Sequence, residues 1–365
     1  MTLLATPTLA VLLLLTSIAT TSDPPESVGS LPRPPSPAGP WLEKGSLLFK
    51  QGDVTGALKA FQAAARADPA DARAPYLQGV ALQKQGDLVA ASAAYRAALA
   101  RKPDFAEAHN NLGEIALGQG NPAGAARAFE AAVKARPAYP EAHFNLGVAR
   151  DAQGGGADAV VAYREAVRLK PGDASYRLNL GAALRRRGDL DGALAALLES
   201  TRLAPKEPLG WVNLGMLEAD QRSYDQAATA LERATKLKPD FALAWNRLGR
   251  VELRRGHLDR AVEVQERARR LEPASGAFAA DLCRALIELK STARAVTECR
   301  AAVALDGRNP LARYELAKAL VAKGDCAEAH RQIDAFSAMP EVKPEARSQA
   351  AEIGNSCGKR PPRAP

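Results

Sequence analysis

Aromatic residues make up only 5% of this 365-residue chain, and no basic run is interleaved with them. No known nucleic-acid module occurs either, so the formal charge of +8, spread among 41 acidic residues, does not read as a nucleic-acid surface. Equally absent are a nucleophile elbow, a phosphate-cradling loop and a paired-carboxylate signature, which excludes the familiar catalytic frameworks. No cysteine and histidine spacing matches a zinc site, and nothing calls for a cofactor. Neither Lys nor Arg precedes the apolar run Leu3 to Thr20, and no cysteine follows it that could carry a lipid. That run is long enough for the centre of an export signal and marginal for a membrane span. Residues 1–20 are therefore read as a signal peptide, cleaved after Ala19 with Ser17 two residues earlier, or alternatively as an uncleaved anchor.

What the chain does have is a period. Pro69, Pro103, Pro137, Pro171, Pro205, Pro239 and Pro273 stand 34 residues apart, and a fixed period of this length marks a repeat array. With each proline as position 32, position 8 is glycine from Gly45 through Gly249, and position 20 is alanine from Ala57 through Ala329. Position 7 carries Leu146, Leu180, Leu214 and Leu248, and position 24 carries Phe61, Tyr95, Phe129 and Tyr163. Trp41, Trp211 and Trp245 recur at position 4, where His109 and His143 replace them as packing residues. Gly52-Asp53, Gly86-Asp87 and Gly188-Asp189 each close one helix and open another: glycine takes the left-handed turn and aspartate accepts from exposed N–H groups. The proline ends the second helix. Each period is thus a helix–turn–helix hairpin.

The pattern resembles the tetratricopeptide repeat family over residues 38–343, with eight clear repeats and a degenerate ninth that keeps Leu316, Ala317, Leu320 and Ala329. Position 11, usually Tyr in that family, is Leu48, Leu82, Ala116, Arg150, Leu184, Glu218 or Glu252. The resemblance implies an all-α, right-handed superhelical solenoid, closed by a capping helix over 344–357. A Pro-rich disordered linker over 21–37 precedes the array and a disordered tail over 358–365 follows it.

The four cysteines all lie in the last quarter of the chain. Cys283 and Cys299 take positions 8 and 24 of the eighth repeat, which face each other across an antiparallel hairpin. Cys326 opens the following second helix, and the final helix returns Cys357 toward it. Two disulfides, and with them an oxidising compartment, are expected.

By resemblance, the first helices line the concave surface. There Asn111, Asn145, Asn179 and Asn213 occupy position 6 of four consecutive repeats. The row is similar to the asparagine ladder of O-linked N-acetylglucosamine transferases, whose amides pair with the backbone of an extended peptide. Further on, Arg247, Arg250, Arg254, Arg284 and Lys318 form a basic stripe suited to an acidic segment or a chain carboxylate. The family's chaperone-tail clamp is not matched, since Asp281 and Glu315 stand at position 6 there. The expectation is a non-enzymatic scaffold of the bacterial cell envelope, exported or periplasmic, that binds a protein or peptide partner. The alternatives are an accessory subunit recruiting substrate to a separate glycosyltransferase or protease, and an architectural spacer.

Overall fold

The computed structural model describes residues 36–357. The leader 1–20, most of the linker 21–37 and the tail 358–365 lie outside the described residues. Among the described residues there are nineteen helices and no strand. Sixteen of them pair as eight hairpins: Gly39–Lys50 with Val54–Ala67, Arg73–Gln85 with Leu88–Arg101, Ala106–Gly118 with Pro122–Ala135, Pro140–Ala152 with Gly156–Leu169, Pro208–Asp220 with Tyr224–Leu237, Ala242–Arg255 with Leu258–Leu271, Gly276–Glu288 with Thr292–Leu305, and Pro310–Lys323 with Cys326–Ser337; Ala174–Arg186 and Leu190–Leu203 follow the fourth of these in sequence. A single helix, Pro344–Asn355, follows. The chain divides into two compact units, the first ending at Ala196 and the second beginning at Leu197.

Each hairpin is built by the same local devices. Glycines at position 15, from Gly52 to Gly324, hold φ between +72° and +85° and turn the chain between helices. The next residue caps the second helix: Asp53, Asp87, Asn121, Asp189 and Asp325 each accept from the backbone N–H three residues on, at 2.8–3.3 Å. Within the hairpin, glycine at position 8 lets the two helices close on a ring. A methyl group on Gly79 would lie 2.5 Å from the Tyr95 ring, and one on Gly113 2.6 Å from the Phe129 ring. Both rings are fully buried.

Position 4 plays a different part from simple packing. Trp211 Nε1 donates to the Pro205 carbonyl at 3.1 Å and Trp245 Nε1 to that of Pro239 at 3.0 Å. His109 and His143 place Nε2 2.8 and 2.9 Å from the carbonyls of Pro103 and Pro137. A carbonyl only accepts, so the imidazole proton stands on Nε2. Arg177 and Arg313 reach the carbonyls of Pro171 and Gly307 through Nε, both at 3.0 Å. In these six repeats position 4 supplies an N–H donor six residues after a carbonyl that the interrupted helix leaves without a partner, whereas Pro75 and Ala279 at the same position cannot.

In the first unit successive hairpins stack through rings, as where Phe144 lies 4.7 Å, centroid to centroid, from Tyr176 of the next repeat. In the second unit the position-24 ring gives way to Leu231, Gln265, Cys299 and Ile333. Cys283 is joined to Cys299 with Cα atoms 5.2 Å apart, and Cys326 to Cys357 at 5.4 Å. The helix Pro344–Asn355 lays Ala346 and Ala350 against Ala317, Ile333 and Phe336, covering the apolar end of the ninth repeat.

Candidate partner-binding face

Two of the position-6 asparagines, Asn111 and Asn145, lie in seams between helices. In the first unit, Asn111 and Asn145 are 3% and 0% exposed. Asn111 donates through Nδ2 to the Tyr95 hydroxyl at 3.0 Å, and that hydroxyl donates to Gln83 Oε1 at 2.7 Å. Asn145 donates through Nδ2 to Asn110 Oδ1 at 3.2 Å and to Glu114 Oε1 at 3.4 Å, crossing from the fourth repeat to the third. Asn110 Nδ2 donates to the same Glu114 oxygen at 2.8 Å. The side-chain oxygens of Asn111 and Asn145 are buried without a hydrogen-bond partner. Asn179 and Asn213 each donate to a carbonyl one turn back on their own helix, Ser175 at 2.9 Å and Leu209 at 3.0 Å. These amides have therefore spent donor groups inside the chain, and Asn111 and Asn145 retain acceptors.

Burial acts strongly on this seam. Glu114, 7% exposed, is pushed up from 4.5 to about 7 by desolvation, which the amides of Asn110, Gln83 and Asn145 only partly offset. The hydroxyls of Tyr76, Tyr95 and Tyr139 are raised above their ordinary range for the same reason.

The basic stripe of the second unit is divided. Glu315, 3% exposed, receives Arg284 Nε at 2.8 Å and Lys318 Nζ at 3.2 Å, so those two cations serve a buried carboxylate. Arg250 and Arg254 are exposed, one helical turn apart, while Arg247 is half-buried on the same helix. Alongside, Asn246 donates to Gln265 Oε1 at 3.0 Å and to Asp281 at 2.9 Å, a second polar seam.

Asn110, Glu114, Asn246 and Gln265 escape a reading of the face from position 6 alone. Their signal is polarity where the period is apolar: position 5 holds Tyr76, Phe144 and Val212, and position 9 holds Val80 and Val148 around Glu114.

Stacked helical hairpins with side chains displayed from the first helices define a helical-repeat interaction scaffold. The tetratricopeptide repeat model matches residues 42–104, 76–140, 112–174, 144–208, 212–277 and 247–310, and the chain belongs to that family. Its fold is typically a non-catalytic scaffold, and its members bind protein or peptide partners. No curated protein matches the sequence. Among solved structures, a chain of the APC/C hetero-tetramer Cut9-Hcn1 is 21% identical with a TM-score of 0.56, covering 77% of this chain. The present chain spans 55% of that protein's length. A tetratricopeptide repeat protein from Parabacteroides merdae is 15% identical (TM-score 0.56; 68% of this chain, 98% of that one). The pilF protein of Pseudomonas aeruginosa is 20% identical (TM-score 0.50; 55% and 92%). At these identities the likeness concerns the fold alone.

Proposed function

We propose that this protein is an exported scaffold of the cell envelope that holds an extended peptide or a partner subunit along the face lined by its first helices. The observation that carries the compartment is the pairing of all four cysteines, since structural disulfides persist where the surroundings are oxidising. Residues 1–20 supply the export signal or an anchor, and the Pro-rich stretch 21–37 spaces the array from it. No helix among the described residues is long and apolar enough to cross a membrane.

The partner meets two kinds of group. Of the asparagine row, the half-buried Asn213 receives an N–H group of the ligand, while Asn111 and Asn145 are engaged inside the first unit. Arg250 and Arg254, with Arg247 beside them, receive carboxylates, while Arg284 and Lys318 remain on Glu315. Exposed cations on one helix turn select such anions mainly through charge.

Cross-linked pull-down from the envelope fraction tests this reading. The native chain is expected to capture a defined partner that an Arg250→Glu/Arg254→Glu variant loses, while circular dichroism of the variant stays native. Equal capture by the variant removes the basic stripe from the site. Alkylation of protein taken from its native compartment is expected to find no free thiol, and four alkylated cysteines would overturn the export assignment.

A further inference from the structure

We propose that the Cys326–Cys357 disulfide is a redox latch: a dithiol reductant opens it, the terminal helix Pro344–Asn355 comes away, and the apolar end of the ninth repeat is uncovered. The latch concerns the end of the array and goes beyond the partner-binding reading above.

The latched helix is an incomplete repeat. Pro344 stands 34 residues after Pro310, and Pro344-Glu345-Ala346 repeats Pro140-Glu141-Ala142, which opens a first helix earlier in the array. Ala346 and Ala350 lie on Ala317, Ile333 and Phe336, so the helix covers the ninth repeat where the first helix of a tenth would stand. Every earlier first helix is followed by a second; among the described residues none follows this one.

Its non-covalent hold is correspondingly thin. The helix buries only Ala346, Ala350 and Gly354, whereas the first helix of the ninth repeat buries Leu316 and Leu320 besides three alanines. Small side chains remove little apolar area from water. Glu345, Arg347, Ser348, Gln349, Ala351 and Glu352 are exposed. A detached helix of 12 residues is marginal in water, and Gly354 lowers its propensity further. Glycine is needed there for close approach: a methyl group would lie 3.0 Å from Ile333 Cδ1 and 3.3 Å from His330 Cδ2. One turn beyond this contact, the bond from Cys357 to Cys326 fastens the helix to the array.

The two bridges differ as a latch and a rivet do. Cys283–Cys299 joins two helices of one hairpin that already share a core, and both cysteines are 0% exposed. Cys326–Cys357 joins the terminal helix to the array across 31 residues, and both cysteines are half-buried, within reach of a thiolate. The connection 338–343 serves as the hinge, with Val342 anchored in the core of the ninth repeat. Release uncovers Tyr314, Ile333 and Phe336, which line the seam with Ala350 and Ile353.

Opening is a dithiol–disulfide exchange. A thiolate of the reductant attacks one sulfur of the pair, the bond between Cys326 and Cys357 breaks, and the other cysteine leaves as a thiolate. The reductant's second thiolate then attacks the mixed disulfide, closing the reductant's own disulfide and freeing the remaining cysteine. Two electrons pass to the pair, and the two protons of the dithiol end on the two cysteines. Oxidising surroundings keep the latch shut.

The test equilibrates the whole chain with graded dithiothreitol, alkylates the free thiols, and follows hydrogen exchange. At reductant levels that label Cys326 and Cys357 alone, exchange in 344–355 is expected to quicken about tenfold or more. Protection of Pro310–Lys323 and of 329–336 should remain, fluorescence of an added apolar dye should rise, and reoxidation should reverse both changes. Cys326→Ser/Cys357→Ser, which keeps the inner bridge, should show the open pattern with no reductant. A terminal helix that stays protected in the reduced native chain overturns the latch. So does loss of protection throughout 310–337 together with the helix, which would make the bridge a support of the whole repeat. Labelling of all four cysteines in one step also overturns it, since no state would then have the outer bridge open and the inner one closed. Should the double variant fail to fold, the reduced native chain decides alone.

Discussion

A methyl group is the smallest probe of how these hairpins close. Gly113 carries none, and one placed there would press into the Phe129 ring at 2.6 Å. Gly118, at the end of the same helix, faces nothing within 4 Å. Gly113→Ala should therefore lower the unfolding free energy by ~1–3 kcal/mol, whereas Gly118→Ala should leave it unchanged or raise it by up to ~1 kcal/mol. Urea midpoints at constant slope read the difference. Similar reasoning applies to position 4. Trp211→Phe keeps an aromatic ring but removes the donor to Pro205, and should cost about 1 kcal/mol, more if the carbonyl is left dry. The sequence shows the donors only as a tolerated exchange of Trp, His and Arg, because nothing in a period names the carbonyl they reach. The seam residues were harder still to read. Asn111 and Asn145 are visible as a row, but whether a row faces solvent or a neighbouring helix depends on how closely first helices approach. That distance is a tertiary quantity, and the period is silent on it.

At the scale of the element, helices start and stop where the local chemistry directs. Asp87 accepts from Ala90 N at 2.9 Å and opens the second helix of its repeat. Asp87→Ala should cost about 1 kcal/mol, with hydrogen exchange at Ala90 and Ala91 rising first. The turn preceding such caps shows where the period and the backbone disagree. Gly occupies position 15 in seven repeats with positive φ, while Arg222 and Lys290 hold φ of 62° and 59° at the same place. A side chain in the left-handed region costs ~1–2 kcal/mol, and part of that returns as lower chain entropy in the unfolded state. Lys290→Gly is accordingly expected to stabilise the second unit by ~0.5–1 kcal/mol, seen as a higher melting temperature. The two-helix hairpin was legible from Pro, Gly and Asp where they occur, since each acts on the backbone within a few residues of itself. The polar seams formed by Glu114 and Gln265 were not, since a buried polar residue differs from an exposed one only in what packs over it.

At the scale of the molecule, the two units hold their hairpins closed by different means and should respond to different conditions. In the first, Glu114 binds its proton more tightly folded than unfolded, with a native value of about 7 against an ordinary 4.5. Its contribution to stability is present below the lower value and is lost as pH rises through the higher one. The loss is on the order of 3 kcal/mol at pH 8. Denaturation between pH 4.5 and 8 should show that slope, and Glu114→Gln should flatten it. In the second unit the ring against glycine fades from Leu231 to Gln265, and at the eighth repeat a covalent link takes the same two positions. Closing loops of 16 and 31 residues restricts the unfolded chain by ~3–4 kcal/mol each. Dithiothreitol should therefore weaken the protection of residues 276–357 and leave 39–169 unchanged in hydrogen exchange. The order of reduction follows access. Cys326 and Cys357 are half-buried, while Cys283 and Cys299 are 0% exposed, so a timed alkylation should label the former pair first. The inner pair should be labelled only as fast as the eighth hairpin opens. Simultaneous labelling of all four, or loss of protection in the first unit, would show that the links are not what holds the second unit's hairpins together.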